Sequence, residues 1–204
     1  MNIAIIGIDT GIGKTLASAI ICEAVKADYW KPVQAGSLNH TDSDEVRSHI
    51  SNTKTVIHKE AFRLTHPISP HAAAKLDNKN IVLSDITIPV TKNHMVIETA
   101  GGLMSPINDE QTNLDFIKQF NLPVILISKH YLGSINHTLL TISVLKSKGI
   151  SVKGILFNGV DNPSTQEYIL KNGNVNYLGR INLLNELTKK TIAEEAKSTP
   201  VGGK

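Results

Sequence analysis

The chain has 204 residues, a formal net charge of +3 and a single cysteine. Its charged residues are scattered, and four Phe, four Tyr and one Trp offer few rings to stack on bases, so no nucleic-acid partner is expected. One cysteine cannot form a disulfide within the chain, and no apolar run reaches the roughly 18 residues of a membrane span, so we expect one cytoplasmic domain over residues 1–204 without membrane contact.

Apolar segments of strand length recur along the chain and are mostly continuous rather than alternating. They are "IAIIGI" from Ile3, "YWKPV" from Tyr29, "HMVIETA" from His94, "PVILIS" from Pro123, "VKGILFN" from Val152 and "VNYLG" from Val175. Between them, helix-like segments are clearest at residues 14–26, 113–120 and 135–148. Continuous apolar strands that alternate with helices predict an α/β fold with a doubly wound, mainly parallel sheet and helices on both faces.

Residues 36–89 fit this alternation least well. The segment "TDSDEVRSHI" predicts a short helix, and "HPISPHAAAKL" predicts a proline-broken loop that leads into another helix. No repeat or linker indicates a domain boundary there. The last residues, "STPVGGK" at 198–204, are predicted to form a disordered tail.

The segment "GIDTGIGKT" after the first strand resembles a phosphate-binding loop with one extra residue. The common pattern has four residues between its glycines, whereas five separate Gly7 from Gly13 here. Backbone N–H groups in such a turn, followed by a helix N-terminus, form a concave nest for phosphate oxygens. Lys14 adds a positive charge, and Thr15 adds a hydroxyl suited to Mg²⁺.

Several polar residues follow the predicted strands, at the edge where ligands collect in open α/β sheets. Lys31, Glu98 and Asn158 each stand at such a strand end. Glu98 either helps to hold Mg²⁺ opposite the phosphate loop or is a solvated strand-end carboxylate. Residues 100–102, Ala-Gly-Gly, favour the first reading because they permit close approach of a ligand to the backbone.

Three further residues have competing interpretations. Asp42 is a plausible N-cap for the short helix, and Asp44 reaches the phosphates only if this segment folds back over them. Composition alone favours a surface position for Lys31, because lysine is a poor choice within a buried strand.

Taken together, these segments resemble the dethiobiotin synthetase family, whose members are P-loop NTPase-like enzymes. The resemblance covers nearly the whole chain in order: "GIDTGIGKT", "YWKPVQAGS", "TDSDEV", "SPHAAA", "ETAGG" with "SPI" after it, "LPVILIS", "LGSINHTLLT", "ILFNGV" and "YLGRI". The phosphate loop alone is a weak signal. Its combination with "KPVQAG", "SPHAAA" and "LGSINHTLLT" is specific.

The resemblance implies a homodimeric ATP-dependent ligase that closes a cyclic urea on 7,8-diaminopelargonate with CO₂, ATP and Mg²⁺. By motif, Thr15, Asp44 and Glu98 hold the metal, and Thr10, Lys14 and Lys31 surround the carbamate. The nucleotide is bound by Gly11, Ile12, Gly13, Lys14, Thr15, Leu16, Glu98, Thr99, Ala100 and Gly101, with Asn158 and Gly159 at the adenine. The organic substrate is contacted by Thr10, Lys31 and Ala35 and, from the dimer face, by Gly133, Asn136 and Tyr168.

The resemblance also suggests why the loop is long: the extra residue carries Thr10 past the phosphates towards the second substrate. Four positions depart from the family pattern, namely Gly11, Ala35, Thr99 and Asn182. They bring adenine selectivity and the geometry around Ala35 into question, but not the Lys, Thr, Asp and Glu that the chemistry needs.

A rival function is an ATPase switch of the partitioning type, built on a similar sheet. Such loops carry a second lysine at the position of Asp9, which has the opposite charge here. A carbamate or amide ligase of the corrinoid amidotransferase type needs an additional glutaminase domain, for which no residues remain.

Overall fold

The computed structural model describes residues 1–199, in which eight strands and seven α-helices follow one another. The strands are β1 (Asn2–Gly7), β2 (Asp28–Trp30), β3 (Val33–Ala35), β4 (Phe62–Leu64), β5 (Met95–Gly102), β6 (Val124–Lys129), β7 (Val152–Asn158) and β8 (Tyr177–Ile181). The helices are α1 (Lys14–Val25), α2 (Asp42–His49), α3 (Pro70–Leu76), α4 (Asn113–Gln119), α5 (Ser134–Ser147), α6 (Pro163–Gly173) and α7 (Lys189–Ser198), with one 3₁₀ turn at Leu83–Asp85.

Six of these strands form one parallel sheet in the order β2-β5-β1-β6-β7-β8. The crossover from β1 to β2 runs in one direction along the sheet, and those from β5 to β6, β7 and β8 run in the other. Because such crossovers are right-handed, α1 lies on one face and α4, α5 and α6 lie on the other. The doubly wound parallel sheet predicted from the apolar runs is therefore confirmed, and the carboxyl end of β1 lies where the winding reverses.

The central strands are buried on both faces, as their continuous apolar runs predicted. Ile5, Ile6, Ile97 and Leu126 have no exposed surface. The lone cysteine, Cys22, is likewise fully buried on α1, and burial raises the pKa of its thiol.

The apolar segment at residues 29–33 does not form one strand. It divides at Lys31 and Pro32 into β2, which pairs with β5, and β3, which pairs with β4 in a separate parallel two-stranded sheet. Pro32 has no N–H to donate to a neighbouring strand, but its carbonyl accepts from the Phe62 N–H at 3.0 Å. Strand β4 gave no clear sequence signal because it is only three residues long.

Two residues of the predicted tail, Ser198 and Thr199, belong to the end of α7. Ser198 ends α7, and the buried Thr199 donates its hydroxyl to the Glu195 carbonyl at 2.9 Å, so both residues are tied to the last helical turn. The remainder of that prediction lies outside the described residues. Within residues 1–199 no helix has both the length and the apolar character needed to cross a membrane.

A buried carboxylate joins α1 to the loop after α2. Glu23, 5% exposed, accepts hydrogen bonds from the backbone N–H groups of Ser51 and Asn52, at 2.8 and 3.1 Å, and from both of their side chains. Burial raises the pKa of Glu23, but the bonds from Asn52 and Ser51 outweigh it and lower the pKa to about 2. The charged form therefore stabilises the fold.

We expect Glu23→Gln to lower the free energy of unfolding by roughly 1–3 kcal/mol at pH 7. A depressed pKa contributes stability above the unfolded value of about 4.5 and loses it as pH falls towards 2. The difference between wild type and variant should therefore shrink between pH 5 and pH 3. Denaturant unfolding at both pH values checks this, with Glu110→Gln on the exposed surface as the control. A difference that stays constant with pH would contradict it.

Candidate active site

One cavity of about 690 Å³ lies at the carboxyl ends of β1, β3 and β5. Of the residues predicted for the site, it is lined by Thr10, Gly11, Gly13, Lys14, Thr15, Leu16, Lys31, Ala35, Glu98, Ala100 and Gly101. The structure thus brings together the phosphate loop, Glu98 and Lys31, which came from separate motifs. Glu98 does not end its strand, as the sequence had suggested, because β5 continues to Gly102.

The loop between β1 and α1 has the backbone of an anion nest. Gly11 and Gly13 have φ values of +68° and +92°, which side-chain-bearing residues rarely adopt. Gly13 caps α1 without any side-chain hydrogen bond, and the first turn contains no acidic residue. The N–H groups at this helix end are therefore free of side-chain acceptors and favour a negatively charged ligand.

A second constraint on Gly13 comes from Asn158 at the end of β7. A Cβ atom at position 13 would collide with the Asn158 amide, whose Nδ2 donates to the Ile12 carbonyl at 2.8 Å. Asn158 and Ile12, both predicted to contact the nucleotide, thus tie the loop to the sheet. Gly159 follows with φ +96°, and its carbonyl accepts from Arg180 at 2.8 Å.

A buried polar cluster forms the floor of the cavity. Glu98, 1% exposed, accepts from the Thr15 hydroxyl and the Lys31 ammonium at its Oε1, both at 3.0 Å. Its other oxygen, Oε2, accepts from the Tyr29 hydroxyl at 3.0 Å. Lys31 also forms an ion pair with Asp42. Lys31 is only 5% exposed, so the surface position that composition favoured is wrong and the resemblance placed it correctly beside the loop.

The two lysines of the cavity differ in electrostatic environment. Burial lowers the pKa of Lys14 to about 8, and the nearby charge of Glu98 offsets this only in part. Burial also lowers the pKa of Lys31, but Glu98 and Asp42 outweigh it and leave that pKa above its ordinary value. Lys14, whose Nζ donates to the Asp9 carbonyl at 2.9 Å, has no carboxylate partner among residues 1–199 and is suited to an incoming anion.

The two aspartates of α2 do not lie where the sequence suggested. Thr41, not Asp42, is the N-cap, and Asp44 completes the capping box by accepting from the Thr41 N–H at 3.1 Å. Asp44 also pairs with Arg47 and does not line the cavity, whereas Asp42 does. Asp44 therefore does not lie with Thr15 and Glu98 in the cavity, because Thr41 and Arg47 hold its carboxylate at the start of the helix.

Two departures from the family pattern have local partners. The hydroxyl of Thr99 donates to the Ile5 carbonyl at 3.2 Å, so this buried residue joins β5 to β1 rather than facing the cavity. The N–H and amide of Asn182 both donate to Glu195, at 3.0 and 3.2 Å, which anchors the loop before α7. Ala35 lines the cavity without a hydroxyl, as the sequence indicated.

The three residues predicted for a dimer face lie away from the cavity. Gly133, with φ +103°, caps α5, which begins at Ser134, one residue before the predicted start at 135. Asn136 and Tyr168 are exposed on α5 and α6. Leu132, beside Gly133, is fully exposed at 105%.

Sequence reasoning missed several residues of the site, among them Tyr29 and Ser105. Tyr29 lies in a largely apolar segment, and no motif marks a hydroxyl that reaches Glu98. Ser105 lines the cavity and accepts from the Gly102 N–H at 2.9 Å, and its presence in "SPI" was the available signal.

Solved structures of similar fold include an ATPase and a cell-division protein complex. A ParA family ATPase from Chlorobium tepidum superposes with a TM-score of 0.53 at 13% identity, covering 96% of this chain and 97% of that one. The MinC:MinD complex of Aquifex aeolicus gives 0.53 at 12% identity, covering 97% and 94%. At such identities the likeness shows the fold alone. Fold and loop together define a protein of the P-loop NTPase class.

Sequence comparison narrows this class. ATP-dependent dethiobiotin synthetases of Christiangramia forsetii and Cytophaga hutchinsonii are 48% and 46% identical, over 94% of this chain and 93% of each relative, and a family model described as an AAA domain matches residues 1–191. The chain belongs to the ATP-dependent dethiobiotin synthetase family.

Proposed function

We propose that this protein forms dethiobiotin from 7,8-diaminopelargonate, CO₂ and ATP as a cytoplasmic homodimer, with the whole chain folded as one domain. The observation that carries the proposal is the cavity in which the phosphate loop faces two lysines and a buried carboxylate. Identity of nearly half over 94% of the chain supports the same reaction.

The chemistry is an ATP-driven ring closure. One amine of the substrate attacks CO₂ to give a carbamate, whose oxygen then attacks the γ-phosphorus while ADP leaves. The second amine attacks the carbonyl carbon of the resulting carbamic-phosphoric anhydride and expels phosphate, which closes the cyclic urea. ATP therefore supplies the leaving group for carbon–nitrogen bond formation, which makes the enzyme a cyclo-ligase.

Several residues in and beside the cavity have roles in this scheme. The loop N–H groups and Lys14 bind the phosphates, with residues 11–16 forming the cradle. Lys31 would face the carbamate, and Thr10, an exposed residue that lines the same cavity, would contact the amine or the carbamate. Asn158 and Gly159, beyond the loop, contact the adenine.

The donor set of the cavity floor fits Mg²⁺. Among residues 1–199, no three His, Cys, Asp or Glu side chains gather as a metal cage, so the protein contributes few ligands of its own. Mg²⁺ is commonly bound by one or two carboxylates completed by phosphate and water. We assign it to Thr15, Glu98 and Asp42 instead of Asp44, and when bound it neutralises phosphate charge during transfer.

Asparagine substitutions at the two aspartates test this assignment. We expect Asp42→Asn to raise the Mg²⁺ concentration needed for half-maximal activity by roughly 10-fold or more. Asp44→Asn should leave the Mg²⁺ dependence unchanged and lower the stability by about 0.5–1 kcal/mol, because it weakens only the helix cap. Mg²⁺ titrations and thermal unfolding of both proteins measure this. A larger Mg²⁺ effect for Asp44→Asn would restore the original assignment.

We further propose that the site is completed by a second copy of the chain, through Gly133, Asn136 and Tyr168. Support comes from exposed apolar side chains beside them, above all Leu132. A charge in a buried interface is costly, so Leu132→Asp should produce monomers and raise the KM for diaminopelargonate while leaving ATP affinity unchanged. Sedimentation and steady-state kinetics test this, with Val90→Asp at another fully exposed position, 97%, as the control. Monomers with an unchanged KM would exclude a shared site.

The proposed function is tested by phosphate release with each substrate omitted in turn. A ligase releases phosphate only when diaminopelargonate and bicarbonate are both present. ATP hydrolysis without the diamine, stimulated by a protein or DNA partner, would instead indicate the ATPase switch. That alternative is supported only by the similarity in fold.

A further inference from the structure

We propose that Lys31 is a resident counter-ion for the metal site: before nucleotide binds, its ammonium neutralises Asp42 and Glu98, and it must leave them when the divalent cation arrives. The inference rests on the proposed function, since it concerns the site where Mg²⁺ and ATP would bind together.

The contacts of Lys31 are those of a cation already in place. Its Nζ is paired with Asp42 and lies 3.0 Å from Glu98 Oε1, the same oxygen that accepts from Thr15 Oγ1 at 3.0 Å. Two of the three side chains assigned to Mg²⁺, Asp42 and Glu98, thus contact this ammonium, and the third, Thr15, shares Glu98 Oε1 with it. Tyr29 holds the opposite oxygen of Glu98, which leaves Oε1 turned towards Lys31 and Thr15.

Burial makes this pairing necessary for stability in the absence of metal. Glu98 and Lys31 are 1% and 5% exposed, and a carboxylate withdrawn from water requires a nearby positive charge. A divalent cation cannot share these oxygens with an ammonium at contact distance, because the two positive charges repel. The metal must therefore displace Lys31.

This competition has consequences for the order of events. A metal ion that binds alone gains two carboxylate ligands, but it leaves the buried Lys31 ammonium without an anionic partner. We therefore expect the metal alone to bind weakly. With ATP, the phosphates add metal ligands, and the carbamate gives the released ammonium a new anionic partner. Lys31 then becomes available to the acceptor only after the metal and nucleotide are in place.

Lys14 provides a matched control within the same cavity. It carries the same charge, but its Nζ donates to the Asp9 carbonyl and touches neither carboxylate. Removing Lys14 changes the overall charge near the metal site as removing Lys31 does, yet leaves the Lys31 pairs intact. The difference between the two variants isolates direct competition from long-range electrostatics.

The test is binding of Mn²⁺ alone, a hard divalent probe, to nucleotide-free protein by calorimetry. We expect Lys31→Met to bind Mn²⁺ at least about tenfold more tightly than wild type, a conservative figure for removing contacts between opposite charges near a protein surface. Lys14→Met should change the affinity by less than about threefold. Mn²⁺ should also raise the melting temperature of Lys31→Met more than that of wild type, because ligands stabilise the state they bind.

Equal Mn²⁺ affinity in wild type and Lys31→Met, or an equal gain in Lys14→Met, would overturn the inference. Circular dichroism verifies folding, and Lys31→Gln gives the same readout if the Met variant does not fold. Dethiobiotin formation by the wild type is measured separately. A wild type that forms no dethiobiotin contradicts the proposed function, whereas an active wild type with unchanged Mn²⁺ binding in the variants contradicts only the counter-ion.

Discussion

Lys31→Gln is expected to bind ATP almost normally and to lose roughly 10²–10³ in the rate of ring closure. Phosphoryl transfer to a carbamate brings together the negative charges of the γ-phosphate, the carbamate and the departing ADP. Lys14 faces the phosphates from the loop, so Lys31 is the lysine available to the acceptor side. Because the carbamate exists only in the reacting complex, Lys31 stabilises the transition state more than bound ATP.

The comparison with Lys14→Gln makes this result specific. Lys14 belongs to the phosphate nest itself, so its loss should weaken ATP binding and turnover together. Calorimetry with ATP and a mass-spectrometric assay of dethiobiotin, applied to both variants, separate the two effects. Near-wild-type turnover by Lys31→Gln would remove this residue from the mechanism, despite its buried position beside Glu98.

Glu98→Gln should abolish most activity at limiting Mg²⁺, with a loss of about 10²-fold, and part of this should return at high Mg²⁺. The substitution keeps the shape of the side chain but removes the negative charge that faces Thr15 and Lys31. A neutral amide is a weaker ligand for a hard cation than a carboxylate. ATP affinity without metal should stay within a few-fold of wild type.

Glu45→Gln is the matched control for this experiment. Glu45 lines the same cavity, but its side chain makes no contact that joins it to Thr15, Lys31 or Glu98. Its loss should change the half-saturating Mg²⁺ concentration by less than about threefold. Equal sensitivity of the two variants would mean that the metal depends on the overall charge of the cavity rather than on Glu98.

The main sheet could be predicted from the sequence because its strands are buried on both faces, which requires continuous apolar runs such as residues 124–128. Strand β4 and the break after Trp30 could not be predicted from the sequence. Strands of three residues are stabilised by their neighbours and carry too short a sequence pattern to be recognised. Glu23 likewise lacks a motif, because its donors lie 28 and 29 residues away in sequence.

The candidate site was predictable where the chemistry is local and unpredictable where it depends on the register of a turn. The backbone of residues 7–15 is set by glycines within that segment. Glu98 is the acid of an apolar strand, β5, that pairs in parallel with β1, although it lies within that strand rather than at its end. The choice between Asp42 and Asp44 depended on which residue caps α2, and Thr41 and Asp42 are both good caps. Lys31 and Tyr29 meet Glu98 only through pairing of β2 with β5, which no short motif encodes.

The most direct test of the account is one reaction of the purified protein with ATP, Mg²⁺, diaminopelargonate and ¹³C-bicarbonate, analysed by mass spectrometry. We expect dethiobiotin that carries the label in its ring carbonyl, with one phosphate released for each ring formed. Phosphate release without labelled dethiobiotin would contradict it and leave only an ATPase with the same fold.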